Sequence, residues 1–272
     1  RHNFPLLGLN TEVVCADGVD YLHTMASADV VYVDPARRDN AGKRTYAIED
    51  CTPNIIVMRD ELLDKSGMVL VKLSPMLDWR KAVSDIGERW VSEIHIVSVN
   101  NECKELLVKC EKGREKSGRC LVVCANIQAG GSMQLFSCYP SQTAPANLSV
   151  IPDAPFLYEP NAAIMKAGCY AELAGTYGVS AIAANSHLFL SPVLIDDFPG
   201  RRFAVDGITT LNRQELRTRL KGITQANITV RNFPMSVAQL RQRLKLKEGG
   251  STYLFATTLY DGQHVLIVTH KA

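Results

Sequence analysis

Val30-Val-Tyr-Val-Asp34-Pro35-Ala-Arg37-Arg38-Asp39 is the stretch that decides the fold class. An unbroken β-branched and aromatic run is a strand of the kind buried on both faces of a parallel sheet, and Asp29–Val33 is assigned to it. Asp34 closes the strand. Pro35 has no N–H and restricts the residue before it, so the chain leaves the sheet at this point. That exit lies at the carboxyl edge, where open α/β sheets take their ligands. Asp17-Gly18 follows Glu12–Ala16, itself read as a short β-branched strand, so two acidic residues at two strand ends can line one crevice.

Outward from this point, residues 1–127 alternate strands and helices and predict a mainly parallel sheet. Val19–Thr24 is a short helical turn, Thr52–Leu63 a helix with Pro53 near its start, Gly67–Leu73 a buried strand and Asp78–Arg89 a helix. Ile94–Asn100, Glu105–Glu111 and Arg119–Ile127 read as strands. The charged, glycine-punctuated run Lys112-Gly-Arg-Glu-Lys-Ser-Gly118 suits an antiparallel hairpin between the last two. Residues 128–156, with Gly130-Gly131 and Pro140, Pro145, Pro152 and Pro155, predict a linker or irregular crossing. Beyond it Asn161–Gly178 is a helix, and Ala181–Asn185 and Leu188–Leu190 are short strands. Strand Arg202–Asp206, helix Arg213–Leu220, strand Asn227–Asn232, helix Ser236–Leu244 and strands Ser251–Leu259 and Gln263–His270 complete an α+β rhythm. Asp261-Gly262 is a strong hairpin signal between the last pair.

Composition places the chain among soluble globular proteins. Of its 272 residues 46% are hydrophobic and 21% charged, with no apolar run of bilayer length. That length suits two domains rather than one. The eight cysteines sit mostly in apolar, strand-like surroundings, which fits buried thiols in a reducing cytoplasm. Cys120 and Cys124 lie in one strand-like run with no second Cys/His pair nearby, so no metal site is expected. The net charge of +2 implies no partner. Its distribution is more informative: Arg201-Arg202, Arg213–Lys221 and Arg231–Lys247 make the last quarter locally basic, either a footprint for phosphate or a solvated helix face.

The ordered set Arg1-His-Asn3, Leu7-Gly-Leu9, Val13-Val-Cys-Ala-Asp17-Gly18 and Val31-Tyr-Val-Asp34-Pro35 resembles the second half of the cofactor region in Rossmann-like, S-adenosylmethionine-dependent methyltransferases acting on RNA bases. More narrowly, Asp34-Pro-Ala-Arg-Arg-Asp39, Val71-Lys72-Leu-Ser74-Pro75-Met-Leu-Asp78 and Asn101-Glu102-Cys-Lys104-Glu105 are similar to a bacterial group that joins such a domain to a ferredoxin-like segment and a THUMP-like domain. Tyr158-Glu-Pro-Asn161-Ala-Ala-Ile-Met-Lys166, Ser186-His187-Leu188 and Phe198-Pro-Gly-Arg201-Arg-Phe203 extend the resemblance over nearly the whole chain.

The resemblance implies a partial Rossmann-like α/β sheet over 1–127, the linker 128–156, a ferredoxin-like segment over 157–200 and a THUMP-like domain over 201–272. It implies S-adenosylmethionine as cofactor, with Asp17, Gly18 and Asp34 toward it and the Asp34-Pro35 box facing the methyl group and the target. RNA, such as tRNA or rRNA, is the implied substrate. The family's glycine-rich loop and ribose-binding acid have no counterpart in the 272 residues, so the chain by itself is expected to be inactive. In the family's strand order the strands lacking here lie between Glu12–Ala16 and Asp29–Val33. The edge this leaves is expected to be covered by rearrangement or by a second copy, giving a homodimer.

For individual residues two readings stay open. Arg37 and Arg38 suit bidentate contact with a substrate phosphate or simple solvation. Lys72 is an amphipathic edge residue or a charge aimed into the site. Ser74 and Asp78 are substrate-side candidates, and Asp78 is equally a helix cap. Glu102, Lys104 and Glu105 suit a surface ion-pair set. His187 is a general-base candidate or a packed structural ring. No nucleophile elbow, Walker loop or His-Glu-x-x-His helix is present. The rival to the enzyme is a non-catalytic RNA-binding or assembly module that keeps the sheet as scaffold.

Overall fold

The computed structural model describes residues 2–36, 48–112, 119–141 and 155–272. The chain divides into two compact units, one of residues 1–92 with 107–118 and one of residues 93–106 with 119–272. Among the described residues no helix is long and apolar enough to cross a membrane.

In the first unit α1 (Asn3–Leu6) and α2 (Gly18–Thr24) precede β1 (Ala28–Val33), and a tight helical turn at Ile48–Asp50 leads into α3 (Ile55–Lys65), β2 (Ser66–Leu73) and α4 (Trp79–Ile86). α3 starts where Asn54 Oδ1 accepts from the backbone N–H of Ile56 and Val57, satisfying donors that the first helical turn leaves unpaired. β1 and β2 run parallel, with Val31 beside Val69 and Val33 beside Val71. Burial alternates along β2: Val69, Val71 and Leu73 are buried while Met68, Leu70 and Lys72 are half-buried, as period-two geometry requires of a sheet with one covered face. Leu62 and Leu63 of α3 and Trp79, Val83 and Ile86 of α4 are buried too, each side chain contributing about 1.5–3 kcal/mol.

Two expectations fail here. Residues 12–16 form no strand, since β-branched residues make a strand only when a neighbour pairs with them. Nor is β1 buried on both faces: it is the edge strand among the described residues, with Val30 46% and Tyr32 54% exposed. A short apolar run does not reveal how many of its sides are covered.

β3 (Val91–Val99) and β4 (Glu102–Cys110) run from the first unit into the second. Asn100 and Asn101 join them with φ of 49° and 63°, the left-handed pair of a type I′ turn. The sheet order is β1-β2-β4-β3-β5-β6, with β5 at Leu121–Ile127 and β6 at Met133–Cys138. β4 and β5 are therefore not neighbours, and the expected hairpin across 112–118 is wrong. β5 pairs parallel with β3 and antiparallel with β6. The sheet is mixed rather than mainly parallel, and part of the expected linker is a strand. Alternation identifies strands without naming their partners, which is why the pairing differs from expectation.

The rest of the second unit follows as β7 (Phe156–Pro160), α5 (Ala162–Ala167), α6 (Tyr170–Tyr177), β8 (Ser180–Ala181), β9 (Phe189–Ser191), β10 (Gly200–Thr209), α7 (Arg213–Arg219), β11 (Asn227–Arg231), α8 (Val237–Leu244), β12 (Thr252–Thr258) and β13 (His264–Lys271). These strands form one seven-stranded sheet in the order β11-β12-β13-β10-β7-β9-β8. Leu157, Ile182, Leu188, Phe203, Phe255 and Ile267 make its central core. The hairpin at Asp261-Gly262 forms as expected, with Gly262 at φ 87°. The single helix expected over 161–178 is two, because Gly168 turns left-handed at φ 70° and ends α5. Residues 183–185 are not strand, and β7, not foreseen, ties β9 to β10.

Gly200 of β10 lies opposite Pro160 of β7. A Cβ there would run into the Glu159 carbonyl oxygen and lie 2.9 Å from both the Phe198 ring and Pro160 Cα. Gly200→Ala is expected to destabilise the protein by about 3 kcal/mol or more in denaturant unfolding. A loss under about 1 kcal/mol would mean that the strand pair shifts freely to make room.

Candidate functional site

The register of β1 on β2 places Asp34 beside Lys72. Val33 and Val71 are partners, and each strand's next residue projects to the opposite, less covered face. Lys72 Nζ donates to Asp34 Oδ2 at 2.7 Å. Asp34 makes no other hydrogen bond among the described residues, and its side chain is 49% exposed. Such a half-exposed pair adds at most about 1 kcal/mol to stability. What it does is orient one carboxylate at the carboxyl end of a parallel strand, with Oδ1 left to accept from an incoming donor. Pro35 behind it is buried, and Ala36 exchanges two backbone hydrogen bonds with Thr52, at 2.7 and 3.0 Å, fixing the chain as it leaves the strand.

The other residues singled out by sequence are spread around this pair or apart from it. Asp17 caps α2, with Oδ1 accepting from Val19 N at 2.8 Å and Asp20 N at 3.2 Å. Gly18 opens that helix, and a Cβ built on it would meet nothing within 4 Å. Ser74 is buried in the turn after β2, where its Oγ accepts from Met76 N at 3.3 Å. Asp78 caps α4, accepting from Arg80 N and Lys81 N. Arg37 and Arg38 lie outside the described residues. Lys104 pairs with Glu102 at 2.7 Å as an exposed surface pair.

In the second unit, the motif residues Glu159 and Arg201 belong to an ion cluster built on one buried carboxylate. The Glu159 side chain, only 2% exposed, accepts from Arg201 on one oxygen and from Arg231 on the other, the latter at 2.7 Å from Nη2. Near it His187, at φ 52°, stacks on Tyr170 with ring centroids 4.3 Å apart, and its buried Nδ1 has no hydrogen-bond partner among the described residues. Burial, and then the Arg231 charge, hold the His187 pKa below the usual histidine value, favouring the neutral ring. A network of amides completes this region. Asn126 Oδ1 accepts from Asn101 N and Asn101 Oδ1 from Ala162 N, while Asn126 and Asn161 both donate to Gln134 Oε1. The sequence flagged Asn101, Glu159, Asn161 and Arg201 by their motifs; it did not reveal Arg231, Asn126 or Gln134.

Of the three basic segments expected to mark a phosphate footprint, Arg213–Lys221 and Arg231–Lys247 converge, whereas Arg201 and Arg202 pair with Glu159 and Asp196. α7 and the end of α8 line a groove of about 510 Å³ with Leu211, Leu216, Leu220 and Leu244 along it and Arg213, Arg217, Arg243 and Lys245 around it. None of these four cations pairs with a carboxylate among the described residues. Glu215, on α7, is turned to Thr210, whose backbone N–H and then hydroxyl hold its carboxyl below the usual range. The groove is thus positive, with an apolar floor.

Residues 156–199 match the profile of a ferredoxin-like domain family, and residues 200–271 match that of a THUMP domain-like family. Uncharacterized S-adenosylmethionine-dependent methyltransferases of two Mycobacterium tuberculosis strains, CDC 1551 and H37Rv, are each 27% identical over 256 residues, which is 91% of this chain. The chain spans 64% of the length of these curated relatives. A solved structure of a Porphyromonas gingivalis W83 protein, described as a methyltransferase, is 34% identical with a TM-score of 0.87, covering 100% of this chain and 68% of that one.

Proposed function

Because this chain belongs to the methyltransferase family that includes the P. gingivalis protein, 34% identical to it, we propose that it is the target-side and RNA-holding part of an S-adenosylmethionine-dependent RNA methyltransferase. The observation that carries this reading is the oriented Asp34 carboxylate at the end of β1, held by Lys72 with one oxygen unengaged. When bound, S-adenosylmethionine supplies a methyl carbon activated by its sulfonium. Asp34 Oδ1 would accept a hydrogen bond from the target amine, hold its nitrogen in place and take the proton that the amine gives up. Lys72 keeps the carboxylate from rotating away. Asp17 and Gly18 fit the cofactor side: capping uses only Oδ1 of Asp17, and the space beside Gly18 is open.

Calorimetric titration of S-adenosylmethionine into the 272-residue chain and into the full-length parent tests the assignment. Binding by the full-length protein alone is expected. Binding by neither would reverse the proposal in favour of a scaffold that only holds RNA.

The RNA assignment is supported by the THUMP-like match and by the positive groove between α7 and α8. Phosphates attract guanidinium groups that no carboxylate neutralises, and each phosphate so bound releases a counterion, so affinity falls as salt rises. Titrating bulk tRNA over a salt series, Arg217→Glu together with Arg243→Glu is expected to weaken binding by about tenfold or more at low salt. The salt slope should flatten by about one unit for each phosphate that the variant no longer neutralises. Equal affinity and equal slope in the variant would remove the groove from the RNA interface.

A further inference from the structure

Cys138 at the end of β6 and Cys169 and Glu172 at the start of α6, all in the second unit, converge on one point. Their donor atoms all lie within 4.8 Å of one another, with Cys169 buried and the other two half-buried. The convergence has a local cause on each side. Cys138 ends β6 on the same strand face as Phe136, two residues earlier, and the Phe136 ring meets Tyr177 of α6 at 6.4 Å, which brings that helix against this face. Cys169 is the residue that opens α6, and Glu172 is three residues on, the position from which a side chain reaches back over the start of its helix. Cys169 makes no side-chain cap to α6. Its thiol and the Glu172 carboxylate instead face Cys138.

We propose that Cys138, Cys169 and Glu172 form a binding site for a zinc-class divalent cation, with the fourth position open. Two sulfurs and one carboxylate suit a borderline-soft tetrahedral ion and are a poor set for calcium or magnesium, which take oxygen ligands in larger number. Bonds of about 2.3 Å to sulfur and about 2.0–2.2 Å to oxygen put tetrahedral donors some 3.5–3.8 Å apart. Closing to that spacing from within 4.8 Å needs a movement of about 1 Å. Ser141, whose Oγ lies 2.7 Å from Glu172 Oε1, orients the carboxylate from outside, the supporting role a metal-binding carboxylate needs. The ion clamps the end of β6 to the start of α6, and the open position is available to water or to a ligand.

The test is a titration of the fully reduced, metal-stripped protein with Co²⁺, read by absorption. One equivalent is expected to produce the thiolate-to-cobalt charge-transfer band together with the intensified visible bands of a tetrahedral ion, both displaced by Zn²⁺. Cys138→Ser should remove about half of the charge-transfer intensity. Glu172→Gln should keep that intensity and weaken affinity by about tenfold or more. Cys15→Ser and Cys120→Ser should leave the spectrum unchanged. Zinc should also raise the unfolding temperature of the wild type and have less effect on Glu172→Gln. The proposal is overturned by the absence of these bands in the reduced wild type, or by a charge-transfer intensity that Cys138→Ser leaves unchanged. A Cys138–Cys169 disulfide in protein handled without reductant, with no cobalt spectrum after reduction, would overturn it equally.

Discussion

Asp34→Asn in the full-length protein is expected to lower the rate of methyl transfer by about 10²–10³-fold, roughly 2.7–4 kcal/mol of barrier. The substitution keeps the size of the side chain and removes the charge that Lys72 holds at 2.7 Å and that the target amine would meet. The same substitution should hardly affect folding, since a half-exposed ion pair contributes at most about 1 kcal/mol. Lys72→Met leaves the carboxylate in place but frees it to rotate, and a loss of about tenfold in rate is expected. Steady-state kinetics with RNA and thermal unfolding, measured together, separate the two roles. A rate for Asp34→Asn within about threefold of wild type would remove Asp34 from the chemistry.

The second large effect concerns stability. Replacing Arg201 and Arg231 together by Met is expected to destabilise the protein by about 3–5 kcal/mol, because the Glu159 carboxylate would then stand buried without a counter-charge. Glu159→Gln should cost less, about 1–3 kcal/mol. The asymmetry follows from exposure: the Glu159 side chain is 2% accessible, whereas those of Arg201 and Arg231 are 43% and 34% accessible and turn to water when the acid is gone. Urea unfolding of the single, double and triple variants measures both numbers and the coupling between the arginines. Equal losses for the acid and for the arginine pair would show that water reaches the carboxylate.

Of the candidate site, the strand end at Asp34-Pro35 and the helix start at Asp78 are legible in the sequence, because each is written in a few adjacent residues. The partner of Asp34 is not. Lys72 stands out only as a charge in an apolar strand, and its role depends on the register that sets Val33 beside Val71. Glu12–Ala16 misleads for the complementary reason: its β-branched composition suits a strand, but nothing in the described fold pairs with it. The Asn100-Asn101 turn carries the better hairpin signal, two residues that tolerate positive φ, yet the longer glycine-punctuated run that follows draws more attention in the sequence.

By itself the sequence determined what depends on neighbours along the chain: the Asp78 cap, the Asp261-Gly262 hairpin, and the location of most strands and helices. Caps and turns are settled by hydrogen bonds and φ preferences reaching two to four residues. Only the tertiary structure decided which strands are neighbours, which face of β1 stays open, and which charges meet. Glu159 finds its arginines 42 and 72 residues away, and Ser141 finds Glu172 31 residues away. Burial, not local preference, selects such pairs, because a carboxylate taken out of water must be met by whatever donor the packing brings to it.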